Sequence, residues 1–199
     1  MVLAGILTLL TYIYQHNDGE NLITLSSHEL SFSQYPTDSV YGGVVAPVNF
    51  ESNKDAATFR TAITSAMEKG VNFAGHYVLA SWGCGTSCEG LAIVDATDGA
   101  IVVYNLLSEE GVAYAKDSNL LIVNPTNDYS LTRLQGRQVA TDYYVLEEGA
   151  LYLIAKEVEG KIVSLCTPRE MVGEQSVTGE WRTFTSPCKM PFGWFEVTP

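Results

Sequence analysis

The feature that most constrains the fold is a series of short apolar runs that follows Gly75. Several runs are separated by pairs such as Asp98-Gly99 and Glu148-Gly149, in which glycine supplies the positive φ that a two-residue hairpin needs. Intervals of about 8 to 12 residues favour antiparallel hairpins over parallel crossovers, which need longer connections. The runs predicted as strands are residues 77–82, 91–95, 101–106, 120–124, 143–147, 151–157 and 162–166.

One main helix is predicted before these strands, over residues 53–69. Asn53 offers an N-cap oxygen, Asp55 suits the positive end of the helix dipole, and Gly70 ends the pattern. Apolar residues recur between them with helical spacing, so one face of the helix needs a sheet to cover it. We therefore predict an α+β domain, mostly an antiparallel β-sheet meander with this helix packed on one face.

Length, composition and charge limit the class of protein. The chain has 199 residues, of which 46% are hydrophobic and 17% charged; this fits a single folded domain and excludes a disordered chain. Its formal net charge of -12 argues against nucleic acid as a partner, because phosphate binding depends on clustered Lys and Arg. The acidity serves solubility, or it suits a basic partner.

The N-terminus is apolar over residues 2–14, and no Lys or Arg precedes Lys54. As a helix this run would span only about 20 Å, whereas the hydrocarbon core of a bilayer is about 30 Å thick. We interpret residues 1–20 as a signal-like segment or weak anchor, which would be the protein's only contact with a membrane, and residues 21–199 as a single domain. A first helix or strand packed onto that domain is the alternative.

Residues 72–90 contain the densest motif, NFAGHYVLASWGCGTSCEG, in which a predicted strand ends in a loop of cysteines, glycines and small hydroxyl residues. NFAGHY and WGCGTSC, with AIVDATDG, SNLLIVNP and YYVLEEG further along, resemble a family of uncharacterised exported bacterial proteins. The resemblance covers about residues 59–155. It implies a shared fold and export, and it leaves the activity open.

An even number of cysteines in a chain with a signal-like start favours disulfides in an oxidising compartment. The four cysteines allow three pairings. We predict that Cys84 pairs with Cys88 and Cys166 with Cys188, with a crossed pairing as the alternative. The glycines on either side of Cys84 would relieve backbone strain in so short a cross-link. The expected location is therefore periplasmic or secreted, with an anchor if the first segment is retained.

His76 lies on the predicted strand face that carries Trp82, and antiparallel pairing would bring Asp95 close to it. We interpret it as an interior histidine, hydrogen-bonded to the backbone or to a carboxylate such as Asp95. The functional alternative is a polar pocket under the helix, formed by His76, Asp95 and a tyrosine.

Cysteine catalysis, zinc binding and phosphate binding are each disfavoured. If residues 77–82 form a continuous strand, His76 lies about 20 Å from Trp82, too far to activate Cys84 or to complete a zinc site with it. The glycine-rich loop lacks the final glycine of G-x-G-x-x-G, a following helix and a Walker lysine. No catalytic residue, metal or cofactor is therefore predicted.

For function we predict a non-catalytic exported module that binds a protein or surface ligand, as an inhibitor or immunity-type protein does. The alternative is a small hydrolase or transferase that uses His76 with a carboxylate. An exposed apolar patch near Trp82 or Trp194 would favour the binding module. A basic protein is the partner that the acidity suits. The candidate ligand-binding residues are His76, Asp95, Trp82, Thr86, Ser87 and Glu89.

Overall fold

The computed structural model describes residues 24–25, 30–125, 139–158 and 160–197, so the predicted N-terminal segment 1–20 lies outside the described residues. The main helix consists of a 3-10 segment (Lys54–Phe59) that continues into α1 (Arg60–Met67). Short 3-10 turns cover Phe32–Gln34 and Pro187–Lys189. The strands are β1 (Thr24–Leu25), β2 (Tyr77–Gly85), β3 (Cys88–Asp95), β4 (Ile101–Ser108), β5 (Val112–Tyr114), β6 (Leu120–Val123), β7 (Thr141–Glu147), β8 (Ala150–Val158), β9 (Lys161–Ser164), β10 (Met171–Gln175), β11 (Trp181–Phe184) and β12 (Trp194–Glu196).

The described strands pair antiparallel and fall into three sheets. Their orders are β2-β3-β4, β1-β9-β8-β7-β6-β5 and β11-β10-β12. The predicted α+β class, with mostly antiparallel strands and one main helix, is confirmed. A single meander is not confirmed, because the chain leaves the first sheet after β4 and forms the second from β5 onwards.

The predicted strands and hairpins follow the local sequence closely. Each predicted run overlaps one of the strands β2 to β4 or β6 to β9. Gly99 has the expected positive φ, 78°, but β3 ends at Asp95 and β4 begins at Ile101, so their connection is longer than the predicted two-residue turn. Glu148 and Gly149 have φ of 50° and 74°, so both central residues of the β7–β8 turn are left-handed, as a type I′ hairpin requires.

The main helix begins and ends close to the predicted residues. Asn53 Oδ1 accepts a hydrogen bond from the backbone N of Ala56 at 3.3 Å, which confirms its role as N-cap. Gly70, with φ of 88°, follows the last turn. The difference from the prediction is that the first 6 residues form a 3-10 helix, so the α-helical part has 8 residues.

The helix and the first two sheets form three layers. Ile63 and Met67 of α1 share a buried cluster with Val78, Ala80 and Trp82, which line one face of β2. The other face of β2-β3-β4 packs on the six-stranded sheet and forms the main core. The first four residues of β2, 77–80, are all buried, which matches the continuous apolar sequence expected where both faces of a strand are covered. The main core includes Tyr77, Leu79, Leu91, Ile93, Val103, Leu121, Val123, Tyr144, Leu146 and Leu151.

Residues 30–50, which we call the strap, run along the end of the two packed sheets. The backbone N of Thr37 donates to Asp117 O, between β5 and β6, and that of Tyr41 donates to Gly75 O, ahead of β2. Further along, Ala46 donates to a carbonyl in the β3–β4 turn. The strap therefore connects the six-stranded sheet to the sheet β2-β3-β4, and it forms one wall of the cleft described next.

Candidate functional site

The NFAGHY motif forms a tight loop at the start of β2. Phe73 and Tyr77 exchange backbone hydrogen bonds, and Phe73 is fully buried. Between them, Ala74 and Gly75 have φ of 45° and 78°, a left-handed conformation that is costly for alanine and easy for glycine. Their amides donate to carbonyls in the loop between β5 and β6. The motif therefore fixes the loop against both sheets.

A cleft of about 760 Å³ opens where the strap, the NFAGHY loop and the β7–β8 hairpin meet. Its lining includes three carboxylates, Asp38, Glu147 and Glu148, but no Lys or Arg among the described residues. An acidic cleft favours a cationic group over an anionic one. Further polar groups come from Thr37, Ser39, His76, Tyr77, Asn119 and Tyr152.

His76 lies in the lining of this cleft, and its Nε2 is 3.5 Å from Asp95 Oδ2, so the predicted proximity of the two residues is confirmed. The predicted interior position is wrong, because His76 precedes β2 and its side chain is 42% exposed. The other carboxylate oxygen of Asp95 accepts from the backbone N and hydroxyl of Thr97. Asp95 therefore also stabilises the β3–β4 turn.

Tyr77 is the tyrosine of this site, and it lies opposite Asp95 in the β2–β3 register. Its ring centroid is 4.1 Å from that of His76. Burial, and then the charges of Asp95 and Asp98, raise the pKa of the Tyr77 hydroxyl. The hydroxyl is therefore protonated at neutral pH and can donate a hydrogen bond. The three residues meet at the strand ends, however, and the cleft lining contains no described residue of α1.

The WGCGTSC motif forms the β2–β3 hairpin at the opposite end of β2. The predicted Cys84–Cys88 disulfide is present, with Cα atoms 5.1 Å apart. Thr86 and Ser87 are exposed in the turn, and Glu89 pairs with a glycine of β2. Because β2 has 9 residues, or about 30 Å of extended chain, these residues do not share a site with the cleft.

Trp82 is a core residue and is not exposed to a ligand. Its ring stacks on Phe59 with centroids 4.3 Å apart and lies 5.8 Å from the ring of Tyr104. A side chain at Gly90, its cross-strand neighbour, would collide with the indole. Trp82 therefore joins the main helix to the three-stranded sheet beneath it.

The second disulfide, Cys166–Cys188, is also present as predicted, with Cα atoms 4.9 Å apart. It joins the chain just after β9 to the 3-10 turn Pro187–Lys189. None of the described cysteines is a free thiol. All four cysteines are therefore used in cross-links.

The third sheet, which the sequence analysis missed, presents an exposed surface. The register places Glu174 of β10 opposite both Trp181 of β11 and Phe195 of β12. Val172 lies two residues from Glu174 and therefore on the same side of the sheet. Exposed fractions are 59% for Trp181, 49% for Phe195 and 38% for Val172. We call these four residues the aromatic face. A turn-forming stretch at residues 176–179 was the sequence signal for the β10–β11 hairpin.

Comparison with known proteins gives no match to a family model, a curated protein or a solved structure. In the described ranges, no three His, Cys, Asp or Glu side chains are grouped so that they could hold a metal ion. No helix in the described part of the chain is long and apolar enough to cross a membrane. Function is therefore inferred from the aromatic face and the acidic cleft.

Proposed function

We propose that this chain is a non-catalytic module that binds a protein or surface ligand through the aromatic face. The observation that carries the proposal is the exposure of two large rings and a valine on one side of a small sheet. Large apolar side chains exposed together on one surface mark binding sites, and tryptophan and phenylalanine are enriched where proteins meet. The aromatic face belongs to the sheet that contains Trp194. An exposed apolar patch near Trp194 is the feature that we expected of a binding module.

The base of the aromatic face is well packed, which supports this proposal. On the inner side of the same sheet, the rings of Phe184 and Trp194 pack edge to face with centroids 5.3 Å apart. A side chain at Gly173 would meet Phe184 and the sulfur of Met190, so the inner side is filled. The Cys166–Cys188 disulfide joins this region to the chain beyond β9. A surface held in this way loses little conformational entropy when it binds.

Export to the periplasm or the cell exterior is part of the proposal. Two disulfides and an apolar N-terminal run support it, because disulfides persist in oxidising compartments. The test is expression of the full chain in a bacterium, followed by cell fractionation and mass analysis after thiol alkylation with and without reductant. Export predicts an oxidised protein in the periplasm or medium, whereas a reduced cytoplasmic protein would contradict it.

Binding is tested with a displayed peptide library selected on the immobilised protein. We expect clones that bind the wild type and lose binding to the double variant Trp181→Ala/Phe195→Ala. The matched control is Val44→Ala/Leu107→Ala, which removes two exposed apolar side chains outside the third sheet. Both double variants should keep the native unfolding midpoint within error, because the side chains are exposed. If no selected clone depends on the aromatic face, the proposed function is wrong.

The second candidate is a small hydrolase or transferase at the acidic cleft. The observation that favours it is His76 Nε2 at 3.5 Å from Asp95 Oδ2 beside the cleft. A histidine paired with a carboxylate can act as a general base. We expect no turnover of chromogenic esters, amides or phosphate esters that depends on His76. Activity of the wild type that is lost in His76→Ala, with unchanged stability, would favour the enzyme.

A further inference from the structure

We infer that the aromatic face binds a basic side chain of a partner protein, with arginine preferred, and that the cation lies between the rings of Trp181 and Phe195 over the carboxylate of Glu174. This inference rests on the proposed function and specifies the chemistry of the partner. It follows from the register of the sheet and from the distribution of charge on its two sides.

The register brings two aromatic side chains to either side of one carboxylate. Trp181 and Phe195 both lie directly opposite Glu174, on strands that flank β10. Adjacent strands are about 4.8 Å apart, so the two aromatic residues are separated by about 10 Å. A cation interacts with a ring when it lies within about 6 Å of the ring centroid. One basic side chain between the rings therefore reaches both of them and the carboxylate.

The charges of the sheet are divided between its two sides. Arg182 shares the inner side with Trp194, where its guanidinium carbon lies 5.3 Å from the ring centroid. Arg169 also pairs on that side, with both carboxylate oxygens of Glu196. Among the described residues, no basic side chain forms an ion pair with Glu174. The aromatic face therefore has apolar rings and a negative charge, and its complement is a cation with an apolar stem.

Arginine matches this arrangement better than lysine. Its guanidinium is planar, stacks on aromatic rings and can donate two parallel hydrogen bonds to one carboxylate. The inner side of the same sheet already contains an arginine over an indole ring. The formal net charge of -12 would also attract a basic partner over long distances. That general attraction is not specific to the aromatic face, so the experiment must separate the two effects.

The test uses capped eight-residue peptides of alternating glycine and arginine, with citrulline and lysine versions as comparisons. Affinity for the full-length protein is measured by fluorescence anisotropy at low ionic strength. We expect the arginine peptide to bind at least about tenfold more tightly than the uncharged citrulline peptide, with lysine between them. Glu174→Gln should weaken arginine binding about tenfold, which corresponds to about 1.4 kcal/mol. The matched control Glu51→Gln removes an equal charge from an exposed site and should change binding less than twofold.

Several outcomes would overturn the inference. If Glu174→Gln and Glu51→Gln lowered the affinity for the arginine peptide equally, only the net charge of the protein would matter. If the arginine and citrulline peptides bound equally tightly, the aromatic face would have no preference for a cation. If the protein bound oligosaccharides or associated with itself through Trp181 and Phe195, and did not bind the peptides, the aromatic face would have another ligand. Displayed clones that require both rings but lack basic residues and tolerate Glu174→Gln would sink the inference and leave the proposed function standing.

Discussion

The side-chain amide of Asn72 forms hydrogen bonds to both backbone groups of Leu79. Asn72 Oδ1 accepts from Leu79 N at 2.7 Å, and Asn72 Nδ2 donates to Leu79 O at 3.0 Å. Leu79 lies in β2, which is an edge strand of its sheet. The amide therefore takes the place of a neighbouring strand and satisfies two backbone groups that the edge leaves unpaired. This gives the first residue of NFAGHY a structural role.

Replacing Asn72 with alanine should lower the free energy of unfolding by about 1 to 3 kcal/mol, because both half-buried backbone groups of Leu79 lose their partner. The measurement is the urea unfolding midpoint at constant slope. Ser65→Ala, at an exposed position of α1, is the control and should stay within about 0.5 kcal/mol of the wild type. Equal midpoints for the two variants would contradict the bracing role of Asn72.

Gly75 should tolerate alanine much less well than Gly70. Both glycines have positive φ, 78° and 88°, so each alanine variant incurs a similar backbone penalty of about 1 kcal/mol. A Cβ at Gly75 would also lie 2.6 Å from the carbonyl oxygen of Ser39 in the strap, whereas nothing lies within 4 Å of one at Gly70. We expect Gly75→Ala to be less stable than Gly70→Ala by at least about 1 kcal/mol in denaturant titrations. Similar stabilities would mean that the strap moves away freely.

Local features of the sequence predicted strands and hairpins well. Alternation and apolar runs mark β2 to β4 and β7 to β8, and the pair Glu148-Gly149 specifies the β7–β8 turn without help from distant residues. Division of the strands between sheets is a different matter. The segment after β4 also contains a turn glycine, Gly111, but its strands continue into another sheet. Which sheet a strand joins depends on contacts between distant residues, and those have no local pattern.

The candidate sites were harder to predict for the same reason. Asp38, His76 and Glu148 come from three separate parts of the chain and meet only at the cleft. Trp181 and Phe195 become neighbours of one carboxylate only through β10, which lies between their strands. The two densest motifs, NFAGHY and WGCGTSC, mainly build a loop and a cross-linked hairpin. They therefore indicated packing better than they indicated a binding site.

The two disulfides should contribute unequally to stability. Replacing Cys84 and Cys88 together with serine should lower the free energy of unfolding by about 1 to 3 kcal/mol, and replacing Cys166 and Cys188 should cost about 1 kcal/mol more. The reason is loop entropy, since the paired residues are 4 apart in one case and 22 apart in the other. Chemical denaturation of the oxidised proteins provides the comparison.

The single variants Cys84→Ser and Cys88→Ser separate a structural role from a catalytic one. Each breaks the same cross-link, so we expect equal losses of stability and equal effects on peptide binding. A catalytic thiol would need to be reduced and to have a base within hydrogen-bond reach. If only one of the two variants lost peptide binding or substrate turnover, with an unchanged melting temperature and a low-pKa thiol at that position, the structural role would be refuted.

Stability should fall in strongly alkaline solution because of Tyr143. Burial, and then the charge and hydrogen bond of Glu157, raise the pKa of Tyr143 to about 12, and its hydroxyl donates to Glu157 Oε2 at 3.1 Å. The unfolded chain releases this proton at about pH 10. Between about pH 10 and 12 the folded state therefore binds more protons than the unfolded state. The free energy of unfolding decreases over this range, by up to about 3 kcal/mol in all. The buried Tyr144, whose pKa is also raised, contributes in the same direction. Tyr143→Phe removes the contribution of Tyr143, so the decline in its stability should be shallower by this amount. The decline that remains includes the contribution of Tyr144. Urea titrations of both proteins from pH 8 to about pH 12 give the two slopes, and parallel curves would show that Tyr143 keeps an ordinary pKa in the folded state.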